Sequence, residues 1–245
     1  MKNLPKPARI VQIDALRGFA LAGVALVHVT EQYIAGPVPE GFMEGINGTP
    51  DGIVQGLIAF FIQGKFFALF SILFGLSFSI QMEAAATRGQ DFSWRFLWRA
   101  ALLFLIGYAH HLFYRGDILT IYALLAPFLI PFHRLSNKWI LGVAAVCFFS
   151  IPRFITYFAV GNSPFFGLPD GFFHALEAKY FDTISNGTFL EVWQQNGTYG
   201  MKTKMNFQLQ PFGRLYYTFG YFLIGLWIGK IQLFQQVEEK SKSVR

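Results

Sequence analysis

Apolar residues fall along the chain in runs of about twenty, separated by short polar stretches, and this spacing predicts the elements. A membrane-spanning helix needs about 20 mainly apolar residues at 1.5 Å each. Six segments qualify: 13–34, 58–82, 96–114, 118–134, 138–160 and 211–233. The fourth is short, and Pro127 and Pro131 should kink it or end it early, because each removes a backbone donor and clashes with the preceding turn. Pro152 and Arg153 make the fifth either kinked or shorter than drawn. The expected fold is therefore all-α: a polytopic integral membrane protein of about six transmembrane helices, forming one domain over 1–245.

Two of the intervening segments are more than turns. Residues 35–57 hold Pro37, Pro39 and several glycines, and Gly52 to Gln63 reads as an interfacial helix. Residues 161–210 are polar and aromatic, the largest water-exposed piece, with one or two short helices expected around Gly171 to Asn186 because long unstructured loops are uncommon. Asn47, Asn186 and Asn196 each head an N-G-T triplet, a match too short to carry weight. Glycines inside the predicted helices permit close packing.

Composition agrees with this pattern. Of 245 residues 53% are hydrophobic and only 14% charged, against about 25% charged in an ordinary soluble domain. Disorder, collagen and a small disulfide scaffold are excluded. The net charge of +6 would point to nucleic acid in a soluble protein, but here the cations punctuate apolar spans and act as topology signals. With the N-terminus inside, the inner flanks collect Lys2, Lys6, Arg9 and Arg17, then Arg88, Arg95 and Arg99, then Arg134 and Lys138, then Lys230, Lys240, Lys242 and Arg245. This asymmetry predicts an N-in, C-in arrangement in the lipid bilayer, with Trp94, Trp98 and Trp139 at the inner boundary. Asp14 and Arg17 interrupt the first apolar run and no small-residue cleavage site follows, so it reads as a helix and not as a removable signal. Cys147, the single cysteine, offers no disulfide or thiolate site.

Ionisable residues inside spans are costly, so each is a functional candidate. In the first helix Asp14 and Arg17 can pair at the inner interface, and Arg17, Leu21, Val24 and His28 share one face. The plainer alternative is that Arg17 reaches lipid phosphates and His28 bonds a neighbouring helix. Between the third and fourth spans His110, His111, Tyr114, Arg115 and Asp117 cluster at a tight hairpin, where Asp117 is placed to cap the fourth helix and Gly116 permits the turn. His28 and His110 both fall in the outer half. Lys65 either snorkels outward or faces an anionic ligand or an acidic partner such as Asp117. Arg95 and Arg99 are placed to hold phosphates, or to anchor on anionic lipid. His133 and His174 stand alone, and the five histidines show no metal-ligand spacing.

The segments Arg9-Ile-Val-Gln-Ile-Asp14-Ala-Leu-Arg17-Gly18, Gly64-Lys65-Phe66 through Gly75, Gly107-Tyr-Ala-His110 and Gly116-Asp117-Ile-Leu with Tyr122-Ala123 resemble the YeiB-like family of bacterial inner-membrane proteins, built around a domain of unknown function. The resemblance covers residues 9–135 well and the last span loosely. The opening D-x-x-R-G is also similar to a wider set of transmembrane acyltransferases, including the acyltransferase-3 family and heparan-α-glucosaminide N-acetyltransferase. Acyltransferase-3 proteins carry an arginine and a histidine separated by ten residues in the first helix, the spacing of Arg17 and His28. YeiB-like relatives usually continue for further spans, so the resemblance implies a chain truncated at its C-terminal side.

Three functions compete at this level. Acyl transfer would take an acyl group, acetyl above all, from cytoplasmic acyl-CoA to a sugar or lipid acceptor outside. Arg17 with Arg95 or Arg99 would hold the coenzyme phosphates, His28 or His110 would act as general base, and Asp117 would orient it, with Asp14, Lys65 and Tyr122 as further intramembrane candidates. No metal is implied. A transporter subunit that works as a homodimer is the second, using the same residues as a proton or substrate path. A scaffold without chemistry is the third.

Overall fold

A computed structural model describes residues 11–30, 48–160, 179–209 and 213–234, and among these there is no strand. Helix α1 is Val11–Thr30, α2 is Thr49–Leu57 continued by a π turn at Ile58–Ile62, α3 is Lys65–Ala86 and α4 is Ser93–Phe113. A broken segment follows: α5 at Leu119–Leu125, a 3₁₀ turn at Ala126–Phe128 and α6 at Leu129–His133. Then come α7 at Asn137–Phe148, α8 at Ile151–Val160, α9 over residues 179–186, α10 at Phe189–Gln195, α11 at Met201–Leu209 and α12 at Arg214–Lys230. Among the described residues three stretches are long and apolar enough to cross a membrane: Val11–Val29, one within Pro50–Ala86, and Ser93–Phe113.

The departures from the expected spans have local causes. The second does not begin at residue 58, because the chain turns at Gly64, whose φ of 79° lies in the left-handed region, and restarts as α3 at Lys65. The fourth is broken by Pro127 as expected. The fifth breaks at Ser150, with a φ of 50°, and Pro152 then sits in the first turn of α8, where its missing N–H costs nothing. Of the helical residues expected around Gly171 to Asn186, only those in 179–186 are described; the triplet at Asn47 lies outside the described residues.

Small residues set the main helix contact. Gly75 of α3 meets Phe222 of α12, Gly225 of α12 meets Ile72 and Leu76, and Gly229 meets Ser79. A Cβ at Gly225 would lie 2.0 Å from the Ile72 carbonyl oxygen, and one at Gly75 would lie 2.0 Å from that of Phe222. Only glycine allows backbones this close. Around this contact Phe78, Tyr122, Leu129, Ile140, Phe222 and Leu226 form the principal core. Helix α1 lies along α3 through Ile13, Ala20, Leu73 and Leu76.

The packed helices alternate in direction. Arg17 near the start of α1 meets Ser77 in the second half of α3, whereas Gly23 meets Phe66 at the start of α3. Arg99 at the start of α4 meets Gln81, and His28 at the end of α1 meets Tyr114 at the end of α4. Lys230 at the end of α12 donates to the carbonyls of His133 and Leu135, so α6 and α12 finish at one level. Outward-facing side chains stay apolar: Phe19, Leu105, Ile106 and Phe113 are each at least 60% exposed, as are Trp94, Trp98 and Trp139. Apolar surface this extensive suits lipid and not water.

Candidate functional site

Two polar constellations occupy opposite ends of these helices. At the first end, Arg17 bonds Asp14 at 2.8 Å, one turn back on α1, and reaches across to Ser77, whose Oγ accepts from Nε at 3.2 Å and also from a terminal guanidinium nitrogen. Ser77 remains accepting because its hydroxyl proton goes to the Leu73 carbonyl. One turn further along α3, Gln81 donates to the Ser77 carbonyl at 2.9 Å and accepts from Arg99 of α4. Two guanidiniums from different helices thus converge on one stripe of α3. Beside Arg17 and Ser77 opens a cavity of about 290 Å³ walled by Leu21, Phe70, Leu73 and Phe74. Arg95 does not join them; it is exposed and lies 5.8 Å from the Phe92 ring.

At the second end the hub is Asp117. Its Oδ1 accepts from the backbone N–H of Leu119 at 3.0 Å, and its Oδ2 from that of Thr120 at 3.0 Å, so it caps α5 as the sequence predicts. Oδ2 also accepts from the Thr120 hydroxyl at 2.7 Å and from Lys204 Nζ at 3.1 Å, and Oδ1 lies 3.1 Å from His110 Nδ1. Burial raises the Asp117 carboxyl, but the Lys204 ammonium, the Thr120 bonds and His110 outweigh it and hold the group below its ordinary value. Burial pushes Lys204 down, against the pull of Asp117, to a value below an ordinary lysine. A charged carboxylate only accepts, so His110 presents Nδ1–H to it and keeps Nε2 as the basic nitrogen. The His110 side chain is 52% exposed, whereas Asp117 is fully covered.

The hub extends both ways. Tyr114 Oη lies 2.9 Å from His28 Nδ1, and the Tyr114 ring meets the His110 ring edge-on at 5.8 Å, so Tyr114 bridges the two histidines. On the other side Lys204 spends its remaining protons on Thr120 Oγ1 at 2.7 Å and His111 Nδ1 at 3.2 Å. His111 is then the Nε2–H tautomer and donates to the Asn196 carbonyl at 3.0 Å. Asn196 opens the π turn Asn196–Gly200, donates to the Leu112 carbonyl at 2.9 Å and accepts from the Tyr180 hydroxyl at 2.9 Å. Its N-G-T triplet is thereby a packing device.

The remaining candidates lie apart. Lys65 faces neither Asp117 nor the cavity; its Nζ donates to the Ala59 carbonyl at 3.0 Å and lies 5.8 Å from the centre of the Phe60 ring. Tyr122 bonds Ser71 inside the core, ringed by Phe70, Phe74 and Phe222. Sequence reasoning missed Lys204, Thr120, Ser77 and Gln81. Lys204 lies in a segment that reads as water-exposed, and nothing local sets it apart from Lys202 two residues earlier. Among the described residues no group of three or more His, Cys, Asp or Glu lies close enough to hold a metal.

Two curated relatives match part of the chain. The chain is 35% identical over 162 residues to the uncharacterized protein YxaH of Bacillus subtilis, covering 63% of the chain and 40% of that protein. It is 34% identical over 130 residues to an uncharacterized 39.9 kDa protein in the amylase 3′ region of Bacillus acidopullulyticus, covering 53% of the chain and 36% of that protein. The chain thus spans about two-fifths of the length of these relatives. No family profile and no solved structure matches it.

Proposed function

We propose that the chain is a YeiB-like membrane acyltransferase that passes an acetyl group from cytoplasmic acetyl-CoA to a hydroxyl or amine of a sugar or lipid on the far side of a bacterial inner membrane. The observation that carries this reading is the half-exposed His110 held through Nδ1 by a buried, charged Asp117. This leaves a basic Nε2 beside the apolar boundary. The alternating helix directions support six spans with both termini inside. They also support an inner end bearing Arg17 and Arg99 and an outer end bearing His110.

In this reading Arg17 and Arg99 hold the coenzyme phosphates, and the acyl arm extends past the apolar cavity wall along α1. His28 lies about 16 Å beyond Arg17 along that helix. At the outer end His110 Nε2 takes the acceptor proton as its oxygen or nitrogen attacks the thioester carbonyl. The carbon–sulfur bond breaks, the thiolate takes the proton from the imidazolium, and coenzyme thiol leaves. His28 and Tyr114 orient the acceptor, and the working unit is a monomer or homodimer.

The test uses the whole chain in nanodiscs. Calorimetry should show saturable acetyl-CoA binding that Arg17→Ala weakens at least about tenfold, the scale of one lost charged hydrogen bond. His110→Ala should leave binding intact and remove transfer of radiolabelled acetyl to lipid or polysaccharide fractions. Absence of binding removes the donor from the proposal; undiminished transfer by His110→Ala removes its base.

A further inference from the structure

The proposed chemistry has no use for the segment that leads into α3. Pro50–Ala86 is 37 residues of apolar helix, about 55 Å if straight, against a hydrocarbon core of about 30 Å. The chain does not leave it straight. After the π turn, Gln63 is extended, with φ −60° and ψ 123°, and Gly64 is left-handed. The 22 residues of α3, about 33 Å, then match the core alone. Helix α2 and the π turn, of 9 and 5 residues and about 21 Å together, are the excess.

That excess is amphipathic and unpartnered by the packed helices. Ile53, Val54, Leu57, Phe60 and Phe61 recur at i, i+1, i+4, i+7 and i+8, which is one helix stripe, and each is more than half exposed. None of them belongs to either hydrophobic cluster. Asp51 and Gln55 fall on the opposite side with Gly52, Gly56 and Ala59. Lys65 stands at the elbow, tied to the Ala59 carbonyl, where a cation meets the phosphate layer if α3 fills the core. The elbow is level with Gly23 of α1, because Phe66 packs on Gly23. His28 is about 7 Å further along α1. A straight continuation of α3 would run alongside His28, and the left-handed Gly64 breaks that line.

We infer that residues 49–62 form an in-plane helix whose partner is the phospholipid interface. The stripe from Ile53 to Phe61 is buried at the boundary of headgroups and acyl chains, and Lys65 marks the phosphate level. Length selects lipid over a second copy of the chain: α3 alone matches the hydrocarbon core, so the elbow falls where that core ends and the exposed stripe from Ile53 to Phe61 lies at its boundary. The inference stands on α3 crossing the bilayer and does not rest on acyl transfer.

Single cysteines replacing Ile53, Leu57, Phe60 and Gln55, in a full chain carrying Cys147→Ser, test it with a fluorescent label in phosphatidylcholine–phosphatidylglycerol nanodiscs. Lipids bearing quenchers at shallow and deep acyl positions report depth, and iodide reports water. The expected result is one shallow depth, about 5–10 Å into the boundary, at positions 53, 57 and 60, with position 55 open to iodide. Depth rising steadily from 53 to 60 would overturn it in favour of a continuous span. Labels reached by neither lipid nor iodide would overturn it in favour of a protein partner. All four positions are exposed, so the variants should melt as the parent does.

Discussion

Lys204 Nζ lies 3.1 Å from the Asp117 carboxylate, 87 residues away along the chain, and both side chains are at most 5% exposed. Removing one partner of a buried pair strands the other charge, so Lys204→Met should destabilise the protein by about 3–5 kcal/mol. Asp117→Asn with Lys204→Met should cost less than the two single changes summed, because neither then leaves a lone charge. Unfolding in mixed detergent measures all three, and additive losses would mean that the pair is not coupled.

The same pair sets an acid limit. Asp117 is held below its ordinary 3.8 once burial is outweighed by Lys204, Thr120 and His110. A carboxyl depressed in the folded state contributes stability that is complete above the unfolded value and lost as pH falls through the folded one. The melting temperature should therefore drop below about pH 4, and that slope should be shallower in Asp117→Asn. Asp91 and Glu191 shift the same way through their own backbone bonds but are exposed, so they should add little to the slope. An identical acid slope in wild type and variant would assign the loss to other groups.

Glycines divide by what surrounds them. A Cβ at Gly225 would meet the Ile72 carbonyl at 2.0 Å and the Leu76 nitrogen at 2.7 Å, both backbone atoms that cannot rotate away. Gly225→Ala should cost about 1–3 kcal/mol through forced separation of α3 and α12. Gly142, inside α7 with nothing within 4 Å, is the control: Gly142→Ala should stabilise by about 0.5–1 kcal/mol. Equal melting temperatures for the two variants would mean that the close approach is not maintained in the membrane.

How much of this was legible in the sequence depends on the range of each cause. Apolar runs, the proline break at Pro127, the Asp14–Arg17 pair and the Asp117 cap act within a few residues, and all were readable. The turn at Gly64 was not, because hydrophobic periodicity carries no φ angle and Gln63-Gly64-Lys65 interrupts the apolar run for only three residues. Lys65 reads as snorkelling outward or as facing an anionic ligand or an acidic partner such as Asp117, and the fold supplies Asp117 with Lys204 instead, from a segment that reads as water-exposed; a pair 87 residues apart leaves no local spacing to read. Ser77 and Gln81 escaped for another reason. They are uncharged side chains in an apolar helix, and become notable only once Arg17 and Arg99 are seen to converge on them.

Adjacent histidines of α4 should behave oppositely. His110 is half exposed and turns its Nδ1 to Asp117, whereas His111 is fully buried with both ring nitrogens engaged, by Lys204 and by the Asn196 carbonyl. Diethyl pyrocarbonate attacks a neutral imidazole nitrogen with a free lone pair, which His110 keeps at Nε2. His111 must first open locally, and even 1.4 kcal/mol of opening lowers its reactive population about tenfold. Peptide mapping by mass spectrometry should therefore find His110 modified at least about tenfold faster than His111. His111→Ala should lower the melting temperature by stranding Lys204 and the Asn196 carbonyl, while His110→Ala should leave it near wild type. Comparable modification rates would show that the Lys204–His111–Asn196 chain does not hold, and with it the docking of α11 against the α4–α5 hairpin.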